Sequence, residues 1–178
     1  MNLGCGFDAE VVGQVHTHRQ RSGRGGHIGY LSYAKPILHT IRRYDYPRIR
    51  VEFCESRGGT GEEAEPLVVR WAFALNLPSY GWGLRLAPSA VPTDELLDVC
   101  TFRRGSFWSG VRYATAAQLG GLHRHLRDCV LRRARRFRIE SDEPVAYQMD
   151  GDPGGLLPLE VECLPGRMTM VVPRQFRK

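Results

Sequence analysis

The 178 residues are 42% hydrophobic and 25% charged, the balance of a single globular domain long enough to bury a core without a disulfide or structural metal. Lys and Arg number 25 against 19 acidic residues, a net charge of +6, which asks for an anionic partner: nucleic acid, a phosphorylated small molecule or membrane headgroups. The five cysteines are widely spaced with no Cys-x-x-Cys pair, and no basic-then-apolar leader or long apolar run occurs. These features predict reduced thiols and cytoplasmic residence, with contact at the inner membrane at most peripheral.

In chain order, Leu3 runs directly into the glycine turn Gly4-Cys5-Gly6. Asp8 is then placed to cap a short helix carrying Ala9, Val11, Val12 and Val15, which the polar run 16–26 ends. Ile28, Leu31, Ala34, Leu38 and Ile41 recur at helical spacing and predict a second helix, kinked or started by Pro36. From Pro47 the period changes to two: Ile49, Val51 and Phe53 alternate with Arg48, Arg50 and Glu52, as in a strand with one wet face. A polar hairpin loop over 56–65 leads into 67–75, whose near-continuous apolar run predicts one strand buried on both faces.

Residues 76–88 contain Pro78-Ser79-Tyr80-Gly81-Trp82-Gly83, a turn-rich loop of the kind that lines sites. A strand over 96–102 follows, then a helix over 106–122 with Phe107, Val111, Ala114, Ala117 and Leu122 near one face. The tail reads as strands at 130–139, 145–149, 157–163 and 167–172, with Pro165-Gly166 turning the last hairpin. The predicted fold is therefore mainly β with a few helices (α+β), an antiparallel β-sandwich or barrel forming one domain over 1–178.

Among local motifs, Gln148-Met149-Asp150-Gly151-Asp152-Pro153 joins two strands and reads either as a solvated Asp-Gly turn or as a general base. The acidic segment from Ala87-Pro88 through Asp94-Glu95-Leu96-Leu97-Asp98 suits a hard cation only weakly. Arg132, Arg133, Arg135, Arg136 and Arg138 form a ladder that would meet anionic lipid if gathered on one surface. His16-Thr17-His18 and His123-Arg124-His125 read as surface histidines without a nearby third ligand. Neither Gly-rich segment, at 24–27 or 57–62, has the strand, helix and lysine of a phosphate loop, and no nucleic-acid-binding signature is present.

Gly4-Cys5-Gly6-Phe7-Asp8-Ala9, Ala87-Pro88 followed by Asp94 to Val99, and Met149-Asp150-Gly151-Asp152-Pro153, in this order, resemble the C-terminal domain of the diacylglycerol kinase family of lipid kinases, which includes YegS-like and sphingosine kinase-like enzymes. The resemblance implies a β-sandwich that closes on an upstream or separate ATP-binding domain, with a lipid hydroxyl reacting between them. It implies Asp152 as proton acceptor, where many members carry glutamate, with Asp150 as its motif partner. It also implies Mg2+ at the backbone oxygens of Val91 and Leu96 and the carboxylate of Asp94, although Glu95 stands where members usually have glycine. The expected function is ATP- and Mg2+-dependent phosphorylation of a diacylglycerol-like lipid, negligible without the nucleotide-binding domain. The alternative is a non-enzymatic module for anionic membrane surfaces.

Overall fold

The structure, a computed structural model, describes residues 1–22, 37, 39–40, 43–56 and 65–167. The predicted helix over 28–41 lies mostly outside these residues, as do the hairpin loop over 56–65 and the strand over 167–172.

Among the described residues there are nine strands: β1 (Asn2–Cys5), β2 (Ile49–Ser56), β3 (Leu67–Val69), β4 (Trp71–Leu75), β5 (Leu97–Phe102), β6 (Cys129–Glu140), β7 (Ala146–Met149), β8 (Asp152–Leu156) and β9 (Leu159–Glu162). The α-helices described along their length are α1 (Phe7–Ser22) and α2 (Phe107–Gln118), and residues 37, 39 and 40 are helical as well. Every strand pairing is antiparallel. The order is β3-β2-β6-β5-β4-β1-β7-β8, with β9 also on β6. This is an open antiparallel sheet folded over as an α+β sandwich-like domain, as predicted.

The fold-over happens along β6. Its first half pairs with β5, up to Ala134 opposite Leu97, while its second half runs between β2 and β9, with Phe137 opposite both Phe53 and Val161. One long strand thus serves two sheet segments, and the space between them is filled by Leu3, Ile49, Val51, Val69, Ala72, Ala74, Leu97, Val99, Phe137 and Ile139. The opposite face of β4 and β5 carries Trp71, Phe73, Leu75, Cys100 and Phe102 into a second core, closed by Tyr113 and Ala117 of α2 and by Leu86, Ala87 and Ala90. The side-chain period of two explains why 71–75 reads as uniformly apolar. Its alanines face the sandwich and its large side chains face the helix, and all five residues are buried.

Four local expectations are corrected. Residues 67–75 are two strands, because Arg70 N–H donates to Phe102 O (2.8 Å) and the chain changes partners there, from β2 to β5 and β1. The first helix does not stop at His16 but runs to Ser22, its polar turns tied by Gln14 to Glu10 (3.3 Å) and by the Thr17 hydroxyl to Gly13 O (2.9 Å). Residues 152–156, read as loop, form β8 against β7. Finally, His123 is fully buried, because a 3-10 turn over Leu122–His125 tucks it beneath the sheet with its Nε2 on Leu86 O (3.0 Å). Ser106 caps α2 by accepting from Ser109 N–H (3.1 Å). No described helix is long and apolar enough to cross a membrane.

Candidate active site

The glycine turn at the start of the chain brings three polar residues together. β1 lies between β4 and β7, with Gly4 opposite Phe73 and Gln148, and Gly6 (φ 103°) turns the chain abruptly into α1. Asp8, in the first turn of α1, is thereby aimed back over Gly4. A Cβ on Gly4 would stand 2.1 Å from Asp8 Oδ2 and 2.7 Å from the Tyr80 hydroxyl. Because β1 is held on both edges it cannot move aside. Gly4→Ala is expected to cost about 2 kcal/mol in urea unfolding, with the Asp8 contacts broken.

Asp8 is more than the helix cap read from the sequence. Its Oδ2 accepts from the Tyr80 hydroxyl (2.5 Å) and from Gln148 Nε2 (3.4 Å), and the Gln148 amide also donates to Tyr80. Burial pushes the Asp8 carboxyl above the usual carboxylate range, against the hydrogen bonds from Tyr80 and Gln148, which favour its charged form. Burial and the neighbouring Asp8 push the Tyr80 phenol up. Asp8 Oδ1 is buried and has no partner, and the same is true of Asn2 Oδ1.

These groups form the polar end of a cavity of about 520 Å3. Its apolar walls come from α1 (Phe7, Val11, Val12), from α2 (Phe107, Val111, Ala114), from Trp71 and from Leu84; Asn2, Asp8, Tyr80, Gln148 and the Asp150-Gly151 turn close the polar end. Tyr80 and Leu84 belong to the loop expected to line a site.

The sequence-derived candidates fall in two places. Asp150 and Gly151 form the two-residue turn between β7 and β8, both with positive φ (51° and 92°), the geometry of a type I′ hairpin. Asp150 N–H donates to Asn2 O (2.8 Å) while its Oδ1 accepts from Asn2 N–H (2.7 Å), and Gln148 Oε1 accepts from Gly151 N–H (2.8 Å). The turn is thus tied to the Asp8 cluster. Asp152, one residue beyond the lining turn, projects outward; its side chain is 81% exposed and lies 3.2 Å from His16 Nε2.

Val91, Asp94 and Leu96 meet at a separate bend. Asp94 N–H donates to Val91 O (3.3 Å), and Leu96 N–H donates to Asp94 Oδ1 (3.2 Å). Glu95 adopts a positive φ of 65° there, the conformation that favours glycine. A cation is already present at this bend, and it is Arg133, whose guanidinium bonds Asp94 Oδ2 and approaches Asp98 (3.6 Å). With both Asp94 oxygens engaged, these residues as arranged do not form an open Mg2+ cradle. Burial raises the Asp98 carboxyl, opposed by Arg133. Arg133→Met is expected to destabilise by about 2 kcal/mol at neutral pH, with the deficit shrinking in acid as Asp98 takes up a proton. Chemical unfolding at several pH values checks this.

The rest of the arginine ladder is also largely committed. Arg132 lies over the Phe53 ring (5.2 Å), Arg136 pairs with Glu160 (3.3 Å), and Arg138 pairs with Glu140 (3.2 Å) and Glu160 (3.8 Å).

Known proteins share this architecture. Two solved structures from Bacillus anthracis str. Sterne, both named for diacylglycerol kinase, superpose with TM-scores of 0.63 and 0.55 at 17% and 13% identity; each covers 98% of this chain. This chain spans 52% and 50% of theirs. A diacylglycerol kinase of Bacillus subtilis (strain 168) is 28% identical over 97 residues, 54% of this chain and 32% of that protein. Residues 2–172 match the family model described as the YegS C-terminal NAD kinase beta sandwich-like domain, and the chain belongs to that family.

Proposed function

We propose that this chain is the lipid-side domain of a kinase that transfers a phosphoryl group from ATP to a hydroxyl of a diacylglycerol-like lipid. The observation that carries the reading is the cavity: an apolar space closed at one end by the polar residues Asn2, Asp8, Tyr80 and Gln148 and the Asp150-Gly151 turn. Apolar walls suit acyl chains, and a polar end suits a hydroxyl that must be held and oriented. Trp108, 77% exposed and stacked edge-on to Phe107 of the cavity wall (5.3 Å), suits contact with the membrane surface from which such a lipid comes.

ATP, with its Mg2+, is supplied by a nucleotide-binding half, upstream or on a separate chain, docked against the rim where Asp152 is exposed. The lipid hydroxyl is held at the polar end of the cavity, beside the Asp150-Gly151 turn, until its oxygen attacks the γ-phosphorus. As the new O–P bond forms and the bond to ADP breaks, Asp152 accepts the hydroxyl proton, and His16 at 3.2 Å offers it a route to solvent. Positioning and charge stabilisation of the phosphates belong to the other half, so the isolated chain should show no turnover.

The test is phosphate transfer from ATP to diacylglycerol in mixed micelles, with this chain alone and joined to a nucleotide-binding half. Transfer is expected only in the second case, and it should fall when Ala114→Trp fills the cavity. Transfer that survives the filled cavity would remove the lipid from this site.

A further inference from the structure

The 3-10 turn that buries His123 also places it against two cysteines outside the lining of the cavity. Cys100 in β5 stands opposite Leu131, and Cys129 at the start of β6 stands opposite Phe102, so the two cysteines are diagonal neighbours on one sheet face. His123 is 0% exposed, its Nε2 is 3.0 Å from Leu86 O, and its Nδ1 has no hydrogen-bond partner. One ligand atom from each of Cys100, His123 and Cys129 lies within 4.8 Å of the others. None of the three lines the cavity described above.

We propose that Cys100 Sγ, Cys129 Sγ and His123 Nδ1 form a binding site for a thiophilic divalent metal ion of the Zn2+ class. With Nε2–H donating to the Leu86 carbonyl, the ring is fixed in the tautomer that leaves an Nδ1 lone pair free to bind a metal, the backing that metal-bound histidines commonly have. Zn–S bonds of about 2.3 Å and Zn–N bonds of about 2.0–2.1 Å at tetrahedral angles need ligand atoms roughly 3.5–3.8 Å apart, against separations within 4.8 Å here. Two thiolates neutralise a divalent ion, so the loaded site adds no net charge to an apolar layer, whereas a hard cation such as Mg2+ would find no oxygen ligands. Binding releases two thiol protons to solvent, and no oxidant or reductant is involved. The bound ion would fasten the 3-10 turn and the start of β6 to β5, beneath α2, leaving a fourth position on the half-buried Cys129 side.

The full chain, reduced and stripped with EDTA, is titrated with Co2+ and followed by absorption. One equivalent is expected to produce thiolate-to-cobalt charge-transfer and tetrahedral d–d bands, displaced by Zn2+. Cys129→Ser should weaken binding at least about 100-fold, while Cys54→Ser, at an exposed cysteine outside the cluster, should leave it unchanged. As a measurement that needs no variant, Zn2+ should protect the half-buried Cys129, and not the exposed Cys54, from alkylation read by mass spectrometry. Absence of the bands in folded wild type, bands that persist in Cys129→Ser, or equal labelling with and without Zn2+ each overturn the site.

Discussion

Asp152→Asn, in the chain acting with its nucleotide-binding half, is expected to lower kcat by about 10²–10⁴-fold, the usual contribution of a positioned general base. Asparagine has nearly the shape of aspartate and cannot accept the hydroxyl proton at neutral pH. With a side chain 81% exposed and no buried contact to lose, stability should change by less than about 0.5 kcal/mol. Asp152→Glu should retain activity, because one added methylene keeps the base and lengthens its reach. Asp150→Asn separates the two motif carboxylates. Asparagine tolerates the positive φ and still accepts from Asn2 N–H, so its effect should stay below about tenfold. His16→Gln removes the neighbour and keeps the base, again with a loss below about tenfold. Single-turnover phosphate transfer distinguishes these outcomes, and an Asp152→Asn enzyme with more than about a third of wild-type kcat would place the proton acceptor elsewhere.

What the sequence discloses divides by the distance over which a residue is determined. The alternation Ile49-Val51-Phe53 and the apolar run before Leu75 are local signals of strand and burial, and β2 and β4 follow them. The break at Arg70 is not local, because it depends on Phe102 O being the acceptor that Arg70 N–H finds. Pro153-Gly154-Gly155 has turn composition, yet it forms a strand because Gly154 packs flat on the Tyr147 ring, where a Cβ would sit 2.1 Å from an edge carbon. Asp8 looks like a cap because its near neighbours are a helix's first turn. Its partners Tyr80 and Gln148 lie 72 and 140 residues away, and no spacing rule links them. His123 shows the same limit: its polar neighbours Arg124 and His125 are exposed, and only the packing of the 3-10 turn separates it from them. Composition reached the loop around Tyr80 and the Asp150-Gly151 turn, two walls of the cavity, but not the carboxyl between them.

Asp8→Asn should stabilise the domain and impair it. In the unfolded chain Asp8 ionises near its ordinary value, while in the native state burial holds its proton on to higher pH. The native state therefore binds more protons than the unfolded state as pH rises past the ordinary carboxyl value. Stability is lost through that window until the native group itself ionises. Asparagine has no proton to lose, and its side-chain oxygen can still accept from Tyr80. The variant should match wild type near the ordinary carboxyl pH and exceed it at neutral pH by on the order of 1 kcal/mol, about 2–4 °C in Tm for a domain of this size. Its activity should move the other way. Asparagine weakens the charged anchor to which the Tyr80 hydroxyl and the Gln148 amide donate, so these two lining residues are held less firmly and kcat/KM should fall by about tenfold or more. Thermal unfolding across pH, beside lipid phosphorylation at one pH, reads both effects. If both stability and activity fall together, Asp8 is a fastening of β1 to α1; if stability rises while phosphorylation is lost, the Asp8 carboxylate serves to hold Tyr80 and Gln148 at the cavity's polar end.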